Sequence, residues 1–208
     1  WRFIEKTILP RLKHTYTVSQ SIADAYNKRY SADFQIIRNI PKLEKESRKV
    51  EHLNFDGKKI ILYQGVMNPG RGLEEMIAAM PFVESAILLI IGFGKVEEDL
   101  KELVKKSGLE NRVIFYGKVP FQDLFTYTKQ ADIGLLLERS LGLSFTYALP
   151  NKLFDYIHAG LPIIASSLVE VKRIMNKYNI GEIVEDYSPE SLAKKLNEML
   201  SNSEKREV

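Results

Sequence analysis

The chain has 208 residues, a formal net charge of +3, no cysteine and a hydrophobic fraction of 45%. That length holds one sizeable domain with an appendage, the apolar fraction suits a packed core, and the lack of cysteine excludes a disulfide framework or a thiolate metal site. No apolar run reaches the roughly 20 residues of a membrane-spanning helix. The basic excess is confined to residues 1–50, with no basic helix interleaved with aromatics of the kind that grips nucleic acid.

In chain order, Trp1-Arg2-Phe3-Ile4-Glu5-Lys6-Thr7-Ile8-Leu9 reads as an amphipathic helix. Two readings stay open: a helix touching a membrane surface, or one packed on protein that precedes it. No secretory signal pattern is visible, and the start at Trp1 suggests a fragment or a processed chain. A short strand, Tyr16-Thr17-Val18, leads to a helix opened by Ser19 or Ser21 as cap. A strand Phe34-Gln35-Ile36-Ile37 then ends at Asn39-Ile40-Pro41. These elements are too few to bury a sheet, so residues 1–41 read as the tail of another domain. Residues 42–57 are polar, without a strong period, and read as a linker.

From residue 58 to 208 the pattern becomes regular. Apolar runs at Ile60–Tyr63, Ile87–Ile91, Val113–Tyr116, Ile133–Leu137, Ile163–Ala165 and Ile183–Val184 alternate with helical patterns. The helices are expected at Leu73–Met80, Val96–Lys106, Phe121–Lys129, Asn151–Ala159, Val169–Lys177 and Pro189–Leu200. Continuous apolar runs mark strands buried on both faces. Strand and helix in alternation predict an α/β domain, a doubly wound parallel sheet of Rossmann-like type.

Ligands of such sheets bind beyond the carboxyl ends of the strands. Four segments there are candidates. Gly65-Val66-Met67-Asn68-Pro69-Gly70-Arg71-Gly72 follows the first strand; its backbone N–H groups and the Arg71 guanidinium suit phosphate. Its spacing is neither the dinucleotide fingerprint nor the P-loop, and a plain turn with an exposed arginine is the simpler alternative. Gly92-Phe93-Gly94 permits close backbone approach, though a tight turn explains it alone. Gly117-Lys118-Val119-Pro120 reads on its own as an ordinary turn. The richest is Ala148 to Pro162, where Asn151 can cap a helix and Gly160 can end it. At 100° per residue Leu153, Phe154 and Ile157 share an apolar side, and Asn151, Lys152, Asp155 and His158 the polar one. Lys152 could neutralise phosphate and Asp155 accept a ribose diol. A solvated Lys152–Asp155 pair at i, i+3 is the competing reading.

With these pieces in this order, residues 15–200 resemble the group 1 (family 4) retaining glycosyltransferases of GT-B fold. The resemblance rests on Gly65 to Gly72, Gly92-Phe93-Gly94, Val113 to Val119, Ala131-Asp132 and Pro150 to Ser166. It implies that residues 58–208 are the C-terminal, nucleotide-sugar-binding half of such an enzyme. Residues 1–41 become the end of the N-terminal, acceptor-binding domain. The resemblance places donor phosphates on Gly65, Gly70, Arg71, Gly72, Asn151 and Lys152, and the ribose on Asp155. It places the base, uridine or guanosine, near Gly117, Lys118 and Val119. The family's loop carries an arginine and a lysine five apart; Val66 stands in the first place and Arg71 in the second. Of its glutamate pair with seven residues between them, Tyr147 takes the first place and Asp155 the second. No metal or cofactor is implied, and the catalytic residues are expected partly on the N-terminal domain, leaving this chain to bind donor with little turnover. The expected partners are a nucleotide-sugar and a glycan or lipid-linked acceptor, with no nucleic acid. The expected location is cytoplasmic, with peripheral contact at the inner membrane face. A nucleotide-sugar epimerase of the same fold and a degenerate, non-catalytic binding module are the alternatives.

Overall fold

The structure, a computed structural model, describes residues 2–42, 49–140 and 142–202. Trp1, residues 43–48 of the stretch read as a linker, Leu141 and residues 203–208 lie outside the described residues. The chain begins with α1 (Arg2–Ile8) and a 3-10 turn (Leu9–Arg11), then β1 (Thr15–Thr17), α2 (Gln20–Tyr30) and β2 (Phe34–Ile36). A long run follows: β3 (Lys59–Val66), α3 (Leu73–Ala79), β4 (Ala86–Phe93), α4 (Glu97–Lys106), β5 (Val113–Gly117) and α5 (Phe121–Thr128). The remainder is β6 (Ile133–Leu136), α6 (Leu143–Thr146), α7 (Asn151–His158), β7 (Ile163–Ser166), α8 (Val169–Tyr178), β8 (Gly181–Val184) and α9 (Pro189–Ser201).

Strands β3 to β8 form one six-stranded sheet in the order β5-β4-β3-β6-β7-β8, with every neighbouring pair parallel. The apolar runs explain it. Along β3 and β4 the side chains alternate, so Ile61, Tyr63, Leu88 and Ile90 enter one core with Met76, Ile77, Leu100, Val104, Leu196 and Met199. Ile60, Leu62, Ile87, Leu89 and Ile91 enter a second core with Tyr127, Leu153, Tyr156, Val171, Ile174 and Met175. A strand with apolar side chains on both faces is stable only when helices cover both. Thus α3, α4 and α9 lie on one side, and α5, α7 and α8 on the other. This is the doubly wound parallel sheet expected from the sequence.

The strand order reverses at β3: β4 and β5 run out one way, and β6 starts back on the other side. At such a switch point the connections leave in opposite directions and open a crevice at the carboxyl ends. Tyr156 pins α7 there. Its ring is fully buried against Gly134, where a Cβ would come within 2.6 Å of it. Its hydroxyl accepts from the Gln64 N–H (3.3 Å) and donates to the Leu135 carbonyl of β6 (3.2 Å).

The N-terminal elements form a small parallel pair, β1 with β2, linked by α2. This unit meets the larger domain at specific contacts. The Ser21 N–H and hydroxyl donate to Glu170 Oε1 on α8 (2.9 and 2.6 Å), and the Ser19 hydroxyl donates to the Tyr147 carbonyl (3.1 Å). Ser19 sits at the helix cap without a capping hydrogen bond, because its hydroxyl serves that contact instead. Of the stretch read as a linker, Leu53 is buried and its N–H donates to Gln130 Oε1 (2.8 Å), beside Val50 and Phe55 on the second core. On α1, Phe3 is 81% exposed and Ile4 and Ile8 are about half exposed. Among the described residues no helix is long and apolar enough to cross a membrane.

Candidate functional site

The rim between β3 and β6 brings together part of the residues singled out from the sequence: the glycine turn with Arg71, and Lys152 with Asp155 of α7. The glycine turn leaves β3 with positive φ at Gly65, Gly70 and Gly72, conformations that glycine adopts without steric cost. Two close approaches fix it. A Cβ at Gly72 would lie 2.1 Å from the Leu137 carbonyl oxygen, and one at Gly92 would lie 1.9 Å from that of Gly65. The turn is tied to its neighbours by Met67 N–H to Phe93 O (2.9 Å) and Arg139 N–H to Gly70 O (2.9 Å). Gly92 and Gly94 thus serve the packing of one loop on the next. Helix α3 carries Glu74 and Glu75 in its first turn, and Glu75 pairs with Arg139. The positive charge of the turn is therefore that of Arg71.

Arg71 points across the crevice. Its Nη1 lies 2.5 Å from Glu138 Oε1, and its guanidinium stands 5.9 Å from the centre of the Phe145 ring. Glu138, two residues past β6, is 1% exposed. From the other side Lys152 of α7 reaches the same oxygen, Nζ to Oε1 3.5 Å. The Lys152 ammonium lies 4.1 Å from the Tyr63 ring centre, against Gly65, where a Cβ would make ordinary contact with Nζ at 3.6 Å. Burial pushes Lys152 down to about 8; Glu138 pulls it back up, Arg71 lowers it further, and Asp155 raises it. Lys152 is therefore a mostly buried cation held over an aromatic face, where the sequence pattern placed it on the polar side of α7.

One turn along α7, Asp155 Oδ2 accepts from Gln64 Nε2 (3.1 Å). Gln64 is itself held by the Thr128 hydroxyl (2.7 Å). Burial raises the Asp155 carboxyl above its ordinary value, while the Gln64 hydrogen bond and the charges of His158 and Lys152 hold it down. A carboxylate has about four acceptor positions, so one amide donor leaves room for a ligand's hydroxyls. Arg71 and Asp155 thus stand on one rim, linked through Glu138 and Lys152.

Beside Asp155 a cavity of about 460 Å³ opens between α5, α7 and residues 39–42. Gln64, Thr128 and Asp155 give it a polar side, and Phe121, Phe125 and His158 an aromatic one, with the Phe125 and His158 rings stacked at 4.4 Å. Asn151 lies at its edge and accepts from Asn39 Nδ2 (3.1 Å). The cap of α7 is Pro150, not Asn151, which is the first helical residue and makes no capping bond. On that helix Leu153 and Tyr156 are the fully buried pair, whereas Phe154 and Ile157 are half-buried. Gly117, Lys118 and Val119 lie at the same end of the sheet, past β4: Gly117 closes β5 with φ +83°, and Lys118 Nζ stands 5.2 Å from the Phe93 ring centre. Val66 is exposed and Tyr147 half-buried, and the Tyr147 side chain lines a separate hollow with Glu5, Tyr26 and Tyr30. Among the described residues no group of three His, Asp or Glu side chains could hold a metal ion. The sequence reading missed Glu138 and Tyr156; the one available signal for Glu138 was an acid set directly after an apolar strand, at its carboxyl end.

A doubly wound parallel sheet with its strand order reversed at β3 has the form of one half of a GT-B architecture. The chain belongs to the glycosyl transferases group 1 family, whose model matches residues 44–208. It is 26% identical over 220 residues to the uncharacterized glycosyltransferase MJ1069 of Methanocaldococcus jannaschii, covering 99% of this chain and 54% of that protein. It is 26% identical over 137 residues to the GDP-mannose-dependent alpha-(1-6)-phosphatidylinositol monomannoside mannosyltransferase of Mycobacterium tuberculosis, covering 64% of this chain and 36% of that one. The structure superposes on Anabaena HepE, solved in complex with UDP and glucose, with a TM-score of 0.80 at 14% identity, over 99% of this chain and 59% of that chain. The likeness to HepE is one of fold. The chain spans about half the length of the first relatives it matches.

Proposed function

We propose that this chain is the donor-binding half of a retaining family 4 glycosyltransferase and holds a nucleoside diphosphate sugar at the rim between β3 and β6. The observation that carries the reading is the convergence of Arg71, Lys152 and Asp155 at the switch point. Two cations on opposite walls meet the two phosphates, and the carboxylate one helical turn away accepts the ribose diol. The cavity beside Asp155 has the size of an ordinary small-ligand site, and the nucleoside enters it with its base toward Phe121 and the Gly117-Lys118-Val119 turn. Asn151 borders the phosphates, and Gly65, Gly70 and Gly72 keep the turn bare. Glycosyl transfer develops positive charge on the sugar and negative charge on the leaving diphosphate. Preorganised cations in a partly buried site stabilise that leaving group as it departs, and no metal is required of the described residues. The acceptor, a glycan or a lipid-linked one, and the remaining catalytic groups belong to the other half. The HepE complex with UDP and the GDP-mannose dependence of the mycobacterial relative support a uridine or a guanosine donor.

Titration calorimetry of the chain with UDP, GDP and their sugars tests the reading. Arg71→Ala and Asp155→Ala are each expected to weaken binding by about tenfold or more, the worth of a charge-assisted contact. Unchanged affinity in both variants rejects the site.

A further inference from the structure

Glu138 is buried. Arg71 Nη1 and Lys152 Nζ both converge on its Oε1 as ion-pair partners, while Oε2 meets no donor. Burying a carboxylate costs several kcal/mol in general even when it is paired, and an apolar residue after β6 would avoid that cost. Both oxygens are closed to solvent, so Glu138 cannot itself touch a ligand. Whatever it does passes through Arg71 and Lys152, which are partly open, with side chains 28% and 10% exposed.

We propose that Glu138 is a positioning residue: seated between Arg71 and Lys152, its carboxylate keeps the Lys152 ammonium charged and draws both cations to one point, prepared for a nucleoside diphosphate. The groups facing Lys152 are Tyr63 from β3, Arg71 from the glycine turn, Glu138 from the segment after β6, and Asp155 from its own helix. The Tyr63 ring offers its face, Arg71 repels, and Asp155 attracts. Burial alone drives Lys152 toward the neutral amine, and Glu138 is the largest influence in the other direction. Without it a like charge, Arg71, faces a desolvated lysine. The two cations would then separate or one would discharge, and in either case the clamp is lost. The inference rests on the reading that a diphosphate binds here, and it adds a residue that the family resemblance did not supply.

Glu138→Gln keeps the shape and removes the charge. Affinity for UDP and GDP is measured by calorimetry for the wild type and E138Q at pH 6 and pH 8. If the loss of Glu138 lowers the Lys152 midpoint from its value of about 8, the E138Q to wild-type affinity ratio falls several-fold between those pH values. The ligand's own protonation cancels in that ratio. A ratio that does not change with pH, whatever its size, is what simple loss of packing gives, and it overturns the proposal. Glu138→Asp is expected to restore the wild-type profile. Lys152→Arg added to E138Q is expected to remove the pH dependence, because a guanidinium stays charged. Should the wild type bind neither nucleotide, the donor-site reading fails by itself. Glu138 is then judged on the ligand-free chain, by NMR titration of the Lys152 ε-carbon: a lower midpoint in E138Q supports the role, and an unmoved midpoint rejects it.

Discussion

Asp155 is held at a cost to the fold. Its carboxyl lies above its ordinary value because burial outweighs the help of Gln64, His158 and Lys152. For an acid raised in the folded state, the folded form binds more protons than the unfolded one between the two values, so stability falls as pH rises through that window. Above that window the whole penalty is present. Asp155→Asn removes the charge and keeps an acceptor for the Gln64 amide. The variant is expected to melt higher than the wild type at pH 7, with the gain fading as pH falls to about 4. It is also expected to lose most of the melting-point rise that UDP or GDP gives the wild type. A lower melting point at pH 7 would show Asp155 serving the fold instead. At this scale the sequence was informative where chemistry and position agreed. Arg71 follows an apolar strand and precedes a helix, and Lys152 and Asp155 share the polar side of the helix pattern that comes after β6, so their grouping was legible. Glu138 was not, because an acid after Leu135-Leu136-Leu137 looks like any turn residue until β6 pairs with β3. The burial of Lys152 was hidden for a related reason: the helical wheel counts one helix, and the cover over Lys152 comes from Tyr63 on another element.

Among the elements, glycines separate into those that carry close approaches and those that only turn. A Cβ at Gly92 meets the Gly65 carbonyl, and one at Gly72 meets Leu137, both backbone neighbours that cannot step aside cheaply. At Gly108, with φ +64°, nothing lies within 4 Å. Gly92→Ala and Gly72→Ala are each expected to lose about 3 kcal/mol or more of stability in urea unfolding, because strands or loops must part. Gly108→Ala should lose only about 1–2 kcal/mol, the cost of a left-handed conformation for an L-residue. Equal losses at the three sites would mean that backbone strain alone decides. Strands and helices were legible to within about three residues, since β3 to β8 are mainly apolar and the helices between them are amphipathic. The four-residue helix α6 was missed; Leu143–Thr146 is too short to show a period. The cap of α7 was misplaced by one residue, because Asn151 is a good capping type and Pro150 holds the position through its fixed φ.

For the whole molecule, the attachment of the N-terminal unit rests on few groups. Glu170 is fully buried, and its Oε1 takes the Ser21 N–H, the Ser21 hydroxyl and the Arg173 guanidinium, while Oε2 has no partner. Glu170→Ala leaves those donors unpaired at a buried junction, which costs about 1–3 kcal/mol. Amide exchange at Thr15–Thr17 and Phe34–Ile36 is expected to speed up by about tenfold or more in this variant, with β3 and β4 unchanged. Equal acceleration across the sheet would show that the junction is part of one cooperative unit.

The reversal of strand order at β3 also divides the site along the chain. The glycine turn is made before the crossover, Glu138 directly after β6, and Lys152 with Asp155 only when α7 is in place. No contiguous stretch shorter than residues 65–155 contains it, although all its members meet at one point in space. A nascent chain therefore displays a bare arginine long before it owns the counter-charge and the diol acceptor, and a gene cut anywhere within those 91 codons separates the two walls of the crevice.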